Sequence, residues 1–331
     1  MAIGFKGGYT RKKEGSSVYF VNQNVKGKVK QVSRAYVSDI KNPKTLGQAK
    51  QRALFVAAKN FRRGFEGLLN HSWQGTKYGS PSLAKFMSLV MANKGAAYPN
   101  FFYQPRNSMK FIPQPWPLST GSVAAEIVIN EVAVRRGFAY VAIKEPTLTE
   151  SDTTMGAYFT KLLENNPFLA DGDMLTFCAV VTDQEDAQFT ASSKFAPVFD
   201  RIIIDTTSTE AFNLNTLKTQ NGVFTFQHSE DEMSVNAGKT PYRTICALGV
   251  IVSRRNTVGT SYQRNNAIMV LGEEVTEYFG AQDYRENCLR SMMDDSFLES
   301  TWYLNQVGYD QSAQGSNNIG NGGDDTTIEN P

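Results

Sequence analysis

The sequence predicts an α+β protein: a basic N-terminal β-hairpin plus helices, then a β-sandwich-like domain with inserted and C-terminal helices. Three observations predict it. Two short strand-like runs, Val18–Val21 and Val25–Lys30, flank Asn22-Gln23-Asn24; residues 46–69 carry apolar side chains at helical spacing; and from Val123 onward β-branched and aromatic runs recur between polar turns. A chain of 331 residues with 41% hydrophobic content can bury more than one core. Composition divides it into a basic arm, helical region and extended connector (1–117), a β-rich domain with an inserted helix (118–305) and a Gly/Asn/Asp-rich tail (306–331).

In the first hairpin, Val25-Lys26-Gly27-Lys28-Val29-Lys30 alternates strictly, so strand geometry puts Lys26, Lys28 and Lys30 on one face and Val25 and Val29 on the other. Val32 and Tyr36 share parity with the lysines, which predicts a bulge or strand end near Gln31. Asn42-Pro43-Lys44-Thr45 then opens a helix, with Thr45 and Gln48 spaced as a capping box. Its apolar stripe runs through Leu46, Ala49, Ala53, Leu54, Ala57, Phe61, Phe65, Leu68 and Leu69. Arg52, Lys59 and Arg63 line the opposite face, Arg62 flanks them, and Glu66 is one turn from both Arg62 and Arg63.

A second helix is expected from Pro81 to about Asn93, capped by Ser80 and left at Gly95, with Leu83, Phe86, Met87, Leu89, Val90 and Met91 apolar. Tyr98–Pro117, with five prolines and six aromatic residues, reads as an extended connection packed on something else. Strands are expected at Val123–Val134, Phe138–Ile143, Met174–Val181, Val198–Ile204, Val223–Gln227, Thr244–Val252 and Ala267–Leu271. Ser151–Asn165 reads as an inserted amphipathic helix, and Asp283 to about Leu304 as a last one. Asp310–Pro331 has almost nothing to bury and reads as a disordered acidic tail.

Charge is distributed unevenly. Residues 1–110 hold 20 of the 34 Lys and Arg but only three of the 32 acids (Glu14, Asp39, Glu66), a net +17; the remainder nets −15. Such asymmetry points to an anionic partner for the first part, or to contact between opposite parts of neighbouring copies. A basic strand face and helix face could track a phosphate backbone. The residues proposed for that polyanion contact are Lys26, Lys28, Lys30, Arg34, Arg52, Lys59, Arg62 and Arg63. Acidic protein neighbours, or plain solvation, are the alternatives. No set of residues reads as base-specific recognition.

Other chemistry finds little support. Cys178, Cys246 and Cys288 lie far apart without a CxxC pair, which argues against a disulfide framework or zinc ribbon. They sit in apolar surroundings and read as buried inert thiols. Two histidines, His71 and His228, are too few for most metal and triad sites. Ala237-Gly238-Lys239-Thr240 ends like a phosphate-binding loop, but Met233 stands where the pattern needs glycine and Pro241 interrupts the helix that should follow. His228-Ser229-Glu230-Asp231-Glu232 lacks the spacing of a calcium loop and reads as a solvated acidic loop. No run approaches the roughly 18 apolar residues of a membrane helix, and Met1–Lys6 lacks the apolar core of a signal peptide. The expectation is a non-enzymatic protein without metal, cofactor or membrane partner.

Several segments carry a resemblance. Lys26-Gly27-Lys28-Val29, the helix opening Asn42-Pro43-Lys44-Thr45-Leu46-Gly47-Gln48-Ala49-Lys50-Gln51-Arg52-Ala53-Leu54-Phe55 and Ala96-Ala97-Tyr98-Pro99-Asn100-Phe101 are similar to an uncharacterised family of Bacteroidota proteins also found in phages and prophages. The family ends in paired strands similar to Ile245–Arg254 and Tyr262–Leu271. The resemblance covers about half the chain, and its specific part is the P-x-T-x-x-Q-x-x-Q-R helix opening. This chain departs in the helix near 151–165 and in everything after Glu273. The family implies no catalytic residue. It implies a bacterial or phage setting with a reducing cytoplasm.

A basic arm, a β-rich body and a Gly/Asn-rich tail also resemble virion components in which extended arms bind neighbouring subunits. The expected function is therefore a structural protein of a phage particle, such as a tail or neck ring component. It would be assembled in the host cytoplasm, bound to copies of itself and neighbouring virion proteins, with DNA a further possible partner of residues 1–110. The alternative is a sequence-tolerant nucleic-acid-binding protein whose acidic tail competes for the basic face.

Overall fold

The computed structural model describes residues 12–14, 17–23, 29–35, 46–92, 104, 111–125, 127–149, 152–184, 189–190, 193–213, 217–227, 232–237, 244–256 and 261–293. The chain divides into two compact units, Met1–Lys44 and Thr45–Pro331. The first holds a three-stranded antiparallel sheet, β1 (Lys12–Glu14), β2 (Ser17–Gln23) and β3 (Val29–Ala35), in that order. β2 and β3 form a hairpin as expected, but its second strand is Val29–Ala35 and not Val25–Lys30, residues 24–28 lying outside the described residues. The bulge expected near Gln31 is absent: β3 pairs without interruption from Gln23↔Val29 to Ser17↔Ala35, including Val21↔Gln31. An unbroken ladder outweighs a uniformly apolar face, because each lost backbone pair must find another partner.

In the second unit, α1 (Leu46–Gly64), α2 (Glu66–Leu69) and α3 (Ser80–Ala92) precede the β-rich part. There follow β4 (Pro117–Ser119), β5 (Ile129–Ala133), β6 (Phe138–Val141), α4 (Met155–Asn165), β7 (Met174–Thr182) and β8 (Phe195–Ile203). The rest is β9 (Phe224–Gln227), β10 (Met233–Ala237), β11 (Thr244–Arg255), β12 (Tyr262–Arg264), β13 (Ala267–Ile268), β14 (Val270–Leu271), α5 (Glu273–Gly280) and α6 (Gln282–Arg290). One antiparallel sheet has the order β12-β11-β7-β8 with β14 also on β11; a second has the order β5-β6-β10-β9; β13 and β4 form a small pair. The protein is α+β, with sandwich-like sheets.

Side-chain alternation on β7 explains the layering. Leu175, Phe177, Ala179 and Val181 point into a core shared with Val132, Ala139, Val141, Phe224, Phe226 and Val235 of the smaller sheet. Cys178 and Val180, of opposite parity, join Leu54, Phe61, Phe65 and Phe86 of the helices. β11 does the same: Leu248, Val250 and Val252 face the sandwich, while Ala247 and Ile251 face the helices. A register shift between Ile245 and Ala247 sets that phase. Two strands covered on both faces read as near-continuous apolar runs, which is why their sequences showed no alternation.

The helical layer is fastened by aromatic packing. Phe61 lies 4.9 Å from Phe65, 5.5 Å from Phe111 and 5.1 Å from Trp116 by ring centroids. Fully burying each such ring contributes roughly 1.5–3 kcal/mol. Phe111, Ile112 and Trp116 are buried, so the described end of the Pro-rich connector does pack as expected. The helices and the sheet thus share one core. The division by contacts falls at 44/45, whereas composition placed it at 117/118.

Other elements depart in detail. α3 begins at Ser80 itself, after Gly79 with φ of +82°, so Ser80 is the first helical residue and not a flanking cap. Leu83, expected on the apolar face, is exposed; Ser82 takes the buried place and donates its hydroxyl to Leu69 O at 2.8 Å. The strand expected over Val123–Val134 is confined to β5, and Ala267–Leu271 is split at Met269, whose N–H donates to Trp116 O. α4 starts later than expected, where Thr154 Oγ1 accepts from Ala157 N at 3.3 Å. Of the helix expected from Asp283 to about Leu304, α6 covers the part to Arg290 and residues 294–304 lie outside the described residues, while α5 before it was unforeseen. Thr45, Gly95, residues 228–231, Gly238-Lys239-Thr240 and Asp310–Pro331 lie outside the described residues.

Candidate polyanion-binding surface

α1 carries the candidate surface because its two faces differ in chemistry. Leu46, Ala49, Ala53, Leu54, Ala57, Ala58 and Phe61 are buried, and the opposite side is left to polar residues. Lys59 and Arg63 are exposed, four residues apart and hence adjacent on one line. Arg52, on the same line, is partly buried and donates to Gln48 Oε1 at 3.2 Å. Arg62 faces elsewhere: it donates to Asn70 Oδ1 at 2.8 Å and pairs with Glu66 at 3.5 Å. Glu66 thus takes Arg62 rather than Arg63 among the two choices that spacing allowed. Arg62 belongs to the α1–α2 junction, not to an outward row.

Phe55 completes the row. It is 44% exposed and lies one turn before Lys59. An open aromatic ring beside two free-standing cations can stack on a base or an apolar partner while the cations meet phosphate or carboxylate. The sequence carried the signal, since Phe55 falls off the apolar stripe that explains every other large residue of α1.

Lys30 and Arg34 occur on β3, opposite Asn22 and Val18 of β2 and at positions of the same parity. Lys26 and Lys28 lie outside the described residues. β3 and α1 belong to different units, so the eight candidates fall into two sets, one on each.

Two surface carboxyls of the second unit are held in the ionised form by neighbouring donors. Hydrogen bonds from Lys161 and then Thr149 lower Asp152 to about 2, and Thr207 holds Asp205 below its ordinary value. The thiols go the other way. Burial pushes Cys178 and Cys246 far up and Cys288 to about 12, so all three stay protonated and unreactive at neutral pH. Among the described residues no group of three or more His, Cys, Asp or Glu is placed to hold a metal ion. No helix of the described residues is long and apolar enough to cross a membrane.

No protein-family model, curated protein or solved structure matches the chain.

Proposed function

We propose that the chain is a non-enzymatic structural protein of a phage particle, such as a tail or neck ring component, built by contact between the basic N-terminal unit of one copy and the acidic body of the next. One observation carries the reading: the two compact units differ in the sign of their net charge. Residues 1–44 hold 10 Lys and Arg against two acids, and residues 45–331 hold 24 against 30. A unit with its own ladder and one sign of charge suits a neighbour of the opposite sign. Such a contact joins two different patches, so it is head-to-tail and closes into a ring when its rotation allows. The resemblance to Bacteroidota and phage proteins, and to virions with basic arms, gives the setting: a particle assembled in the host cytoplasm beside other virion proteins.

Sedimentation velocity of the full chain across a salt series tests this. At 0.1 M salt the screening length is about 10 Å, and at 1 M about 3 Å. The expected result is an oligomer at low salt that dissociates as salt rises. A Lys26→Glu/Lys28→Glu/Lys30→Glu/Arg34→Glu variant should sediment as a monomer throughout. A monomer at every salt concentration, or an oligomer indifferent to the variant, overturns the proposal.

The second reading, sequence-tolerant nucleic-acid binding, is favoured by the exposed Phe55–Lys59–Arg63 row. Titrating a labelled duplex in the same salt series separates the two. Binding through this row should lose about 2 from the slope of log Kobs against log salt in Lys59→Gln/Arg63→Gln; an unchanged slope removes the row from that role.

A further inference from the structure

The helix-facing side of the larger sheet is covered at one end and open at the other. Register places Arg264, Ser253, Met174 and Ile203 in one row across β12, β11, β7 and β8, and Ile251, Thr176 and Arg201 in the next. Directly opposed residues share a face, and Ile251 fixes that face as the helical one. Gly67, Leu68, His71 and Ser72 close over these rows and leave a cavity of about 360 Å³. At about 4.8 Å per strand, the two arginines stand roughly 15 Å apart at Cα with the floor between them.

Two hydroxyls of this floor have no hydrogen-bond partner among the described residues. Thr176 is 5% exposed and Ser253 2%, yet neither hydroxyl makes a hydrogen bond among the described residues. Similar buried hydroxyls elsewhere are satisfied: Thr182 donates to Lys194 O at 2.8 Å, Thr244 to Gln184 O at 2.9 Å and Ser119 to Asn265 O at 2.7 Å. Neither oxygen is sealed inside the protein, so both open onto the cavity, where a bound molecule or water can pair with them.

Neither flanking arginine has a carboxylate partner among the described residues. Among the described residues the Arg264 guanidinium donates to Tyr262 O at 3.3 Å. Arg201 donates to Gln220 Oε1 at 2.7 Å and to Met174 Sδ at 3.5 Å. The one acid on the lining, Asp200, is already engaged by Thr219 Oγ1, the N–H groups of Arg201, Asn221 and Val223, and Asn221 Nδ2. Its charge organises the 219–223 loop and does not balance the guanidinium groups. Leu68, Phe199 and Ile251 supply an apolar part of the lining beside the polar His71, Ser72 and Asn221.

We infer that this cavity binds a small amphipathic oxyanion, a phosphate or carboxylate on an apolar body. Arg201 and Arg264 flank the anionic group, the hydroxyls of Thr176 and Ser253 donate to it from the floor, and Phe199 and Ile251 pack against the apolar part. The volume lies in the lower range of ligand pockets, about 300–1,000 Å³. Nothing in this site depends on the charge division between the two units.

Calorimetric titration of the full chain with phenyl phosphate and with benzoate, at constant ionic strength, tests the inference. At least one probe should bind saturably at one site per chain, and the tighter of the two identifies the oxyanion. Arg201→Gln or Arg264→Gln should weaken it tenfold or more, and Lys59→Gln/Arg63→Gln should leave it unchanged. Thr176→Val guards against misfolding: it removes a hydroxyl that makes no hydrogen bond among the described residues, so Tm should be maintained while binding weakens several-fold. Failure of both probes to saturate overturns the inference, as does equal affinity in the arginine variants or loss of binding in the Lys59/Arg63 variant.

Discussion

Asp200 is 3% exposed and accepts five hydrogen bonds, from Thr219, Arg201, Val223 and twice from Asn221. Burial alone would raise its carboxyl; the donors, Thr219 first, outweigh that and hold it below its ordinary 3.8. A carboxyl depressed in the folded state stabilises above its unfolded value and loses that contribution as pH falls through the folded one. Asp200→Asn should therefore destabilise by about 2–3 kcal/mol near pH 7. The gap from the parent should close progressively below pH 3.8. Urea unfolding followed by circular dichroism at several pH values measures it; a gap that is constant with pH would refute the assignment. None of this was legible in the sequence, because every donor but the adjacent Arg201 N–H lies 19–23 residues away. The same holds for Arg62, whose Asn70 partner lies two turns on, beyond the end of α1. Lys59 and Arg63, by contrast, were placed outward by periodicity alone, and they are exposed.

Elements were legible where one physical signal dominated. α1 and β7 carried long, unbroken patterns, and their observed bounds agree with the expected ones to within a few residues. β10 was missed because an acidic cluster precedes it and obscures Met233 and Val235, which alternate and are both buried. β4, with two of its three residues Pro and Ser, lacks β propensity and is held by its pairing with β13. Tertiary pairing, not local preference, makes such elements. β11 shows the constraint most sharply. A Cβ at Gly249 would stand 2.2 Å from Leu118 Cδ1, inside a core where Leu118 is fully buried. Gly249→Ala should cost about 1–3 kcal/mol by overpacking. Combined with Leu118→Ala it should cost at least 1 kcal/mol less than the two separate losses together. Thermal or urea unfolding of the four proteins completes the cycle, and strict additivity would show that Leu118 does not confine this glycine.

At the scale of the whole molecule, composition revealed the charge asymmetry but not where the chain divides. The basic segment from Thr45 to Lys110 drew the sequence boundary towards residue 117, yet α1–α3 belong with the sheet because their apolar faces cover β7 and β11. What remains as a separate unit is shorter and more strongly basic per residue. We propose that this unit meets the acidic body of another copy. Zero-length carbodiimide cross-linking of an equal mixture of ¹⁴N- and ¹⁵N-labelled full chain, read by mass spectrometry, tests it most directly, because it joins only amines and carboxylates in contact. The account predicts mixed-isotope cross-links between lysines of residues 1–44 and acids of residues 111–331, disappearing at 1 M salt. Cross-links confined to single-isotope pairs, or mixed pairs that leave residues 1–44 untouched, would contradict it.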